Sequence, residues 1–251
     1  MKVDLAKKLH QKKYRTETGC YLVEGEHLLL ELEKSAIQQA ELFVTAAHEH
    51  WPTRFRKTLI GERQMTQLSD THSPQGLVAV VPMQETLARA QQVSQEASQE
   101  ASQVTARVER VLYLYQVQDP GNLGTILRTL AWFGGWRLLL SPDSVDPFNP
   151  KVVRSSMGAT FHVPVELDIT LDQLQARYPR IATLDMDGEP LSSHRFAEFD
   201  AYLFGNEARG VPHALLESLR VTAFTIHGSG QIESLNLAAA VNMSLYELHR
   251  G

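Results

Sequence analysis

The sequence predicts an α/β protein in two unequal parts, and three observations predict it. Short apolar runs alternate with stretches of helical spacing through most of the chain, the pattern of strand–helix units around a largely parallel sheet with covered faces. Residues 84–108 interrupt that alternation with a Gln/Ser/Ala/Glu-rich tract. The 251 residues exceed one typical domain and suffice for two cores.

In the first part, residues 1–83, the spacing predicts a helix from Leu5 to Lys13 and a strand from Cys20 to Val23. Glu26 to Lys34 places Leu28, Leu29 and Leu32 on one helical face, while Leu42 to Thr45 and Leu77 to Val81 read as short apolar strands. This is a small α/β unit. The tract that follows has no aromatic residue and few large aliphatics, so it buries little surface. Ala, Gln and Glu favour helix, which leaves a frayed helix and a coil both open. Either way it is a flexible linker, long enough to let the first part swing.

The second part, residues 109–251, repeats the alternation. Strands are expected at Val111 to Val117, Trp136 to Leu140, Arg180 to Leu184, Ala201 to Phe204 and Val221 to Ile226. Helices are expected at Leu123 to Phe133, Asn149 to Met157, Leu171 to Tyr178 and Leu235 to His249. Trp132, Met157 and Met243 fall at apolar helical positions and are expected in the core.

Composition narrows the class. The chain is 43% hydrophobic and 21% charged, as in ordinary soluble proteins. It has no apolar run of membrane-spanning length and no signal-peptide core at its start. Cys20 stands alone, so an internal disulfide or a cysteine metal cluster is excluded and a cytoplasmic location is expected. The ten histidines show no ligand-like spacing, His48 and His50 read as surface residues beside a turn, and no metal is expected. A net charge of −5 argues mildly against nucleic acid. Locally, however, Lys2, Lys7, Lys8, Lys12, Lys13 and Arg15 face Asp4 alone, a cluster able to meet phosphate or to be a solvated face.

Three Gly/Asn-bearing stretches follow strand candidates, where parallel sheets place their ligands. Asp119 to Thr129 carries Gly121 and Gly124, read as a sharp turn that lets a ligand approach the backbone, with Asn122 and the permanently cationic Arg128 nearby. Leu203 to Pro212 and Ile226 to Asn242 repeat the mixture of Gly, Asn and charge.

Those stretches, Asp119 to Thr129, Leu203 to Pro212 and Glu233 to Asn242, resemble the three ordered motifs of the SpoU/TrmH branch of the SPOUT RNA methyltransferases. Asn149 to Ala159 also resembles that family, and Tyr21 to His27 looks like its RNA-substrate-binding domain. The resemblance implies transfer of a methyl group from S-adenosyl-L-methionine to a ribose 2′-hydroxyl of rRNA or tRNA, a C-terminal trefoil knot and a homodimer through the C-terminal domain. It implies that Gly205, Ile226 and Leu235 contact the cofactor and that Arg128, Asn122, Glu207, Ser234 and Asn236 form the polar, catalytic site.

A guanidinium gives up a proton only with great difficulty. For Arg128, pinning a phosphate and stabilising an emerging alkoxide therefore outweighs a general-base role. Ser234 and Asn236 also suit a helix cap. Glu207 reads equally as a partner for Arg209, Asn206 as a turn residue, and Arg154 as a phosphate contact or an ion pair. His227 stands where the family usually has proline, which loosens the loop and motivates a second reading, a non-catalytic RNA-binding or ribosome-assembly factor. Gly228-Ser229-Gly230 as a phosphate loop is a weaker third, because no Lys follows.

Overall fold

The computed structural model describes residues 1–87 and 110–250, so most of the expected linker lies outside the described residues. The front part is a four-stranded sheet of order β1-β4-β2-β3, with β1 Cys20–Glu24, β2 Glu41–Val44, β3 Arg56–Leu59 and β4 Leu77–Pro82. β1 and β2 run antiparallel to β4, and β3 runs parallel to β2. The Lys12–Thr18 helix stops at Gly19, whose left-handed φ of 64° lets the chain turn straight into β1. Sequence spacing did not disclose β3 or the Glu62–Leu68 helix, because both are short and largely polar on their outer faces. Residues 83–87 continue from β4 as a helical turn, and there the buried Thr86 meets the Tyr21 hydroxyl at 3.0 Å.

The second part is a six-stranded sheet of order β10-β8-β9-β5-β6-β7. Its strands are β5 Arg110–Leu114, β6 Trp136–Leu140, β7 Val165–Glu166, β8 Ile181–Pro190, β9 Ala201–Phe204 and β10 Thr222–Thr225. Every pairing is parallel, as the alternation predicts. The Pro120–Phe133 and Leu237–His249 helices cover one face over a core that includes Leu112, Leu127, Leu138 and Val241. The other face buries Tyr113, Leu139, Leu174 and Leu203.

β8 is longer than expected. Its register against β10 jumps from Ala223↔Thr183 to Phe224↔Glu189. Within the jump Gly188 presses on the β10 backbone, where an added Cβ would sit 2.5 Å from Phe224 main-chain atoms.

The two parts share a core rather than swinging independently. Phe148, Val153 and Phe161 of the second part join Tyr21, Leu29 and Leu32 of the first in one buried cluster. The Tyr21 and Phe148 rings lie 4.8 Å apart. Arg15 crosses the same junction. It is 2% exposed and gives Nε and Nη2 to Asp146 at 2.9 and 2.6 Å. Its place in the basic cluster is therefore corrected: a buried, paired guanidinium is withheld from phosphate. Arg154 likewise resolves to an ion pair, 2.8 Å from Asp70 of the front part.

Three expected core residues are exposed instead: Trp132 at 84%, Met243 at 45% and Met157 at 43%. Met157 lies beyond the end of the Pro150–Ser155 helix with a positive φ of 51°, so helical spacing does not apply to it. Trp132 and Met243 sit on the outer flanks of their helices, whose inward positions are already taken by Leu127, Leu130, Val241 and Leu245.

Candidate active site

The first motif does not turn at its glycines. Asp119 caps the Pro120–Phe133 helix, accepting Asn122 N–H at 2.7 Å, and Pro120 takes the first helical position, where no N–H is needed. Gly121 and Gly124 are thus inside the first turns of the helix. A Cβ on Gly124 would come within 1.9 Å of Ser155 Oγ and 2.8 Å of the Val152 carbonyl. This glycine serves helix–helix packing, which corrects the expectation of a ligand-facing turn. The turn itself lies upstream, where Gln116 has a positive φ of 49° and donates its N–H to Ser141 Oγ at 2.7 Å.

The second motif is a tight loop closed on itself. Asn206 and Gly210 exchange main-chain hydrogen bonds of 3.1 and 2.8 Å. The Asn206 side chain accepts the N–H groups of Ala208 and Arg209 and donates to the Gln116 carbonyl at 2.7 Å. Asn206 is therefore the turn residue, through its side chain, while Gly210 supplies the left-handed backbone with φ 63°. Gly205 permits the closure, since a Cβ there would lie 2.4 Å from the Gly210 carbonyl carbon.

Glu207 does not turn to Arg209. Its carboxylate accepts the N–H groups of Gln118 and Asp119 and, at 3.2 Å, the Asn122 Nδ2. Burial pushes its pKa up, but these donors outweigh burial and hold it below the ordinary glutamate value. The amide of Asn122 is thereby oriented, and its Oδ1 accepts Asn236 Nδ2 at 2.9 Å. Asn236 Oδ1 in turn accepts Ala239 N–H and caps the last helix. One polar chain, Glu207–Asn122–Asn236, thus ties the three motifs together beyond the carboxyl ends of β5, β9 and β10.

The remaining expected residues stand around this chain. Ser234 and Leu235 are exposed in the loop leading to Asn236, and Asn236, not Ser234, is the cap. Ile226 is half-buried at the end of β10. Residues 227–235 make no main-chain hydrogen bond to another described residue. Gly228 and Gly230 face open space, and Ile232 is 70% exposed beside them. Free amides flanked by uncovered apolar side chains fit an adenosyl group, which needs a dry face and hydrogen-bonding edges.

Arg128 is exposed, and neither the hydrogen bonds that hold Asn122 and Glu207 nor any ion pair among the described residues involves it. Four residues before Trp132, it shares that residue's outer helix face. Met243 and Tyr246 extend this face from the last helix, which Thr129 joins through a hydrogen bond to the Asn242 side chain. Sequence reasoning did not single out Gln116, Gln118, Ser141 or Thr129. They act through main-chain atoms or in pairs, so no residue type signals them. Among the described residues no acidic, histidine or cysteine group is arranged to hold a metal, and no helix is long and apolar enough to cross a membrane.

Residues 109–246 match the SpoU rRNA methylase family, and residues 1–79 match an MRM3-like substrate-binding domain. The chain is 35% identical to the 23S rRNA (guanosine(2553)-2′-O)-methyltransferase RlmP of Bacillus subtilis, over 96% of this chain and 93% of that protein. Among solved structures, a putative TrmH-family RNA methyltransferase from Porphyromonas gingivalis superposes with a TM-score of 0.77 at 28% identity, covering 99% of this chain and 96% of that one. AviRb from Streptomyces viridochromogenes, a SpoU methyltransferase solved with S-adenosylmethionine, shares the fold, with a TM-score of 0.79, 22% identity and coverage of 99% and 96%. This chain belongs to the SpoU family of S-adenosylmethionine-dependent RNA methyltransferases.

Proposed function

We propose that this protein transfers the methyl group of S-adenosylmethionine to a ribose 2′-hydroxyl of ribosomal RNA. The Glu207–Asn122–Asn236 chain carries the reading, because it fixes three loops as one rigid rim at the ligand end of a parallel sheet. The likeness to RlmP supports the ribose position and favours a guanosine as the nucleotide.

When bound, the cofactor supplies an electrophilic methyl on a sulfonium, held by Gly205, Ile226 and Leu235 through their loops. The protein's share is positioning. Asn122 spends its amide on Glu207 and Asn236, so it orders the rim. Ser234 offers an exposed hydroxyl to the sugar. Arg128, free of internal partners among the described residues, pins a substrate phosphate and stabilises negative charge on the sugar oxygen as its proton passes to water.

Arg128 and the apolar face of Trp132, Met243 and Tyr246 lie together, and an exposed apolar patch of this kind favours association. We assign it to a homodimer through the C-terminal part. Division into 1–83, 84–108 and 109–251, a trefoil knot and a cytoplasmic location complete the reading.

Incubation with labelled cofactor and ribosomal RNA should give alkali-resistant, ribose-methylated dinucleotides; label confined to bases refutes the position of transfer. Arg128→Ala should lower turnover by about 10²–10³-fold while calorimetry shows cofactor binding retained. Unchanged turnover removes Arg128 from the mechanism. Absence of any cofactor binding to the unmodified protein would favour the non-catalytic RNA-binding reading that His227 motivates.

A further inference from the structure

The two parts leave a cleft of about 340 Å³ between them. Lys12 and Thr16 of the Lys12–Thr18 helix and Met83 line it from the first part, and Leu140, Val145 and Leu167 line it from the second. The volume lies at the low end of the roughly 300–1,000 Å³ usual for small-molecule sites. It suits a single nucleotide and excludes a helix.

The second part's lining of the cleft is hydrogen-bonded to residues 116–118, which lead into the candidate active site. Ser141 Oγ accepts the Gln116 N–H at 2.7 Å, the Asp143 carbonyl accepts Gln118 Nε2 at 2.6 Å, and Val145 N–H donates to the Val117 carbonyl at 2.8 Å. Gln118 N–H then holds Glu207 at 3.0 Å. Cleft and rim therefore stand on two sides of one doubled loop.

The chemistry of the lining is mixed in a particular way. Asp146 also borders the cleft, yet Arg15 and the Phe148 N–H already occupy its oxygens. Lys12 and Asp168, both exposed, keep one cation and one carboxylate for a ligand. Leu140, Val145 and Leu167 offer apolar contact to a base, a carboxylate accepts its N–H edge, and a lysine meets the phosphate.

We infer that this cleft holds one unpaired nucleotide of the RNA substrate, next to the nucleotide that is methylated. The inference rests on the proposed RNA methyltransferase function. It adds Lys12, Thr16 and Asp168 as residues that set which RNA is accepted.

The test combines cross-linking with kinetics. A 23S rRNA transcript substituted with 4-thiouridine should cross-link to the peptides spanning 12–16 or 140–146 of the full-length protein. Thr16→Trp, on an exposed helix position, fills the cleft without entering either core. It should abolish that cross-link and raise KM for the RNA about tenfold, equivalent to about 1.4 kcal/mol of lost binding, with the effect on KM rather than kcat and cofactor affinity retained. If Thr16→Trp fails to fold, the exposed and isosteric Asp168→Asn should raise KM in the same direction. Cross-links only elsewhere, or an unaltered KM in the folded variant, overturn the inference. If the unmodified protein transfers no methyl group, the functional reading fails, and the cross-link map alone decides the cleft.

Discussion

Replacing Arg15 by Ala probes the junction that makes the two parts one body. The guanidinium donates four hydrogen bonds, two to Asp146 Oδ2 and two to the carbonyls of Leu9 and His10 at 2.8 and 2.9 Å. Its removal leaves Asp146, 10% exposed, with the Phe148 N–H as its remaining hydrogen-bond donor among the described residues. Breaking a buried ion pair from one side costs about 3–5 kcal/mol. The residual donor and access of water to the vacated space place the expected loss near 3 kcal/mol, a large share of the roughly 5–15 kcal/mol typical of a whole protein. Urea unfolding followed by circular dichroism measures it. Adding Asp146→Ala should cost less than the sum of the single changes, because the orphaned carboxylate is removed with its partner. The same variant should leave the salt dependence of RNA binding unchanged, whereas Lys12→Glu with Lys13→Glu should flatten it. A loss below about 1 kcal/mol, the scale of an exposed pair, or a flattened slope in Arg15→Ala, would refute the assignment of Arg15 to the junction.

Three further outcomes are expected. Gly188→Ala should destabilise the C-terminal part by about 1–3 kcal/mol, since its Cβ would meet the Phe224 backbone, which cannot rotate away; a neutral effect in chemical denaturation would mean that the crossing is loose. Glu207 has a depressed pKa in the folded state, so its stabilising contribution is complete above the ordinary glutamate range and disappears as pH falls through the depressed value. Melting curves of the unmodified protein and Glu207→Gln should therefore differ at neutral pH and converge on acidification; a gap that persists in acid would disprove the linkage. Trp132→Glu should shift the protein towards monomer in light scattering, with cofactor binding or turnover falling in parallel if the dimer completes the site.

The sequence alone determined the parallel strand–helix alternation, because apolar runs and helical spacing are local signals. β5, β6 and β9 fall close to their expected places, and Asn122, Asn206, Glu207 and Asn236 are legible in the motifs themselves. It left undecided how those residues share their work. Whether Asn206 closes a turn, whether Glu207 meets Arg209 or the backbone of 118–119, and whether Asn236 or Ser234 caps the last helix depend on atoms distant along the chain. Burial of Arg15, exposure of Trp132 and the helical place of Gly124 were equally beyond a local reading. A basic cluster, an apolar helix position and a glycine each look the same until the opposing surface is known. Asp146, the outer helix flank and Ser155 are those surfaces, and only tertiary packing, across the junction for Arg15 and within the second part for Trp132 and Gly124, brings them into range.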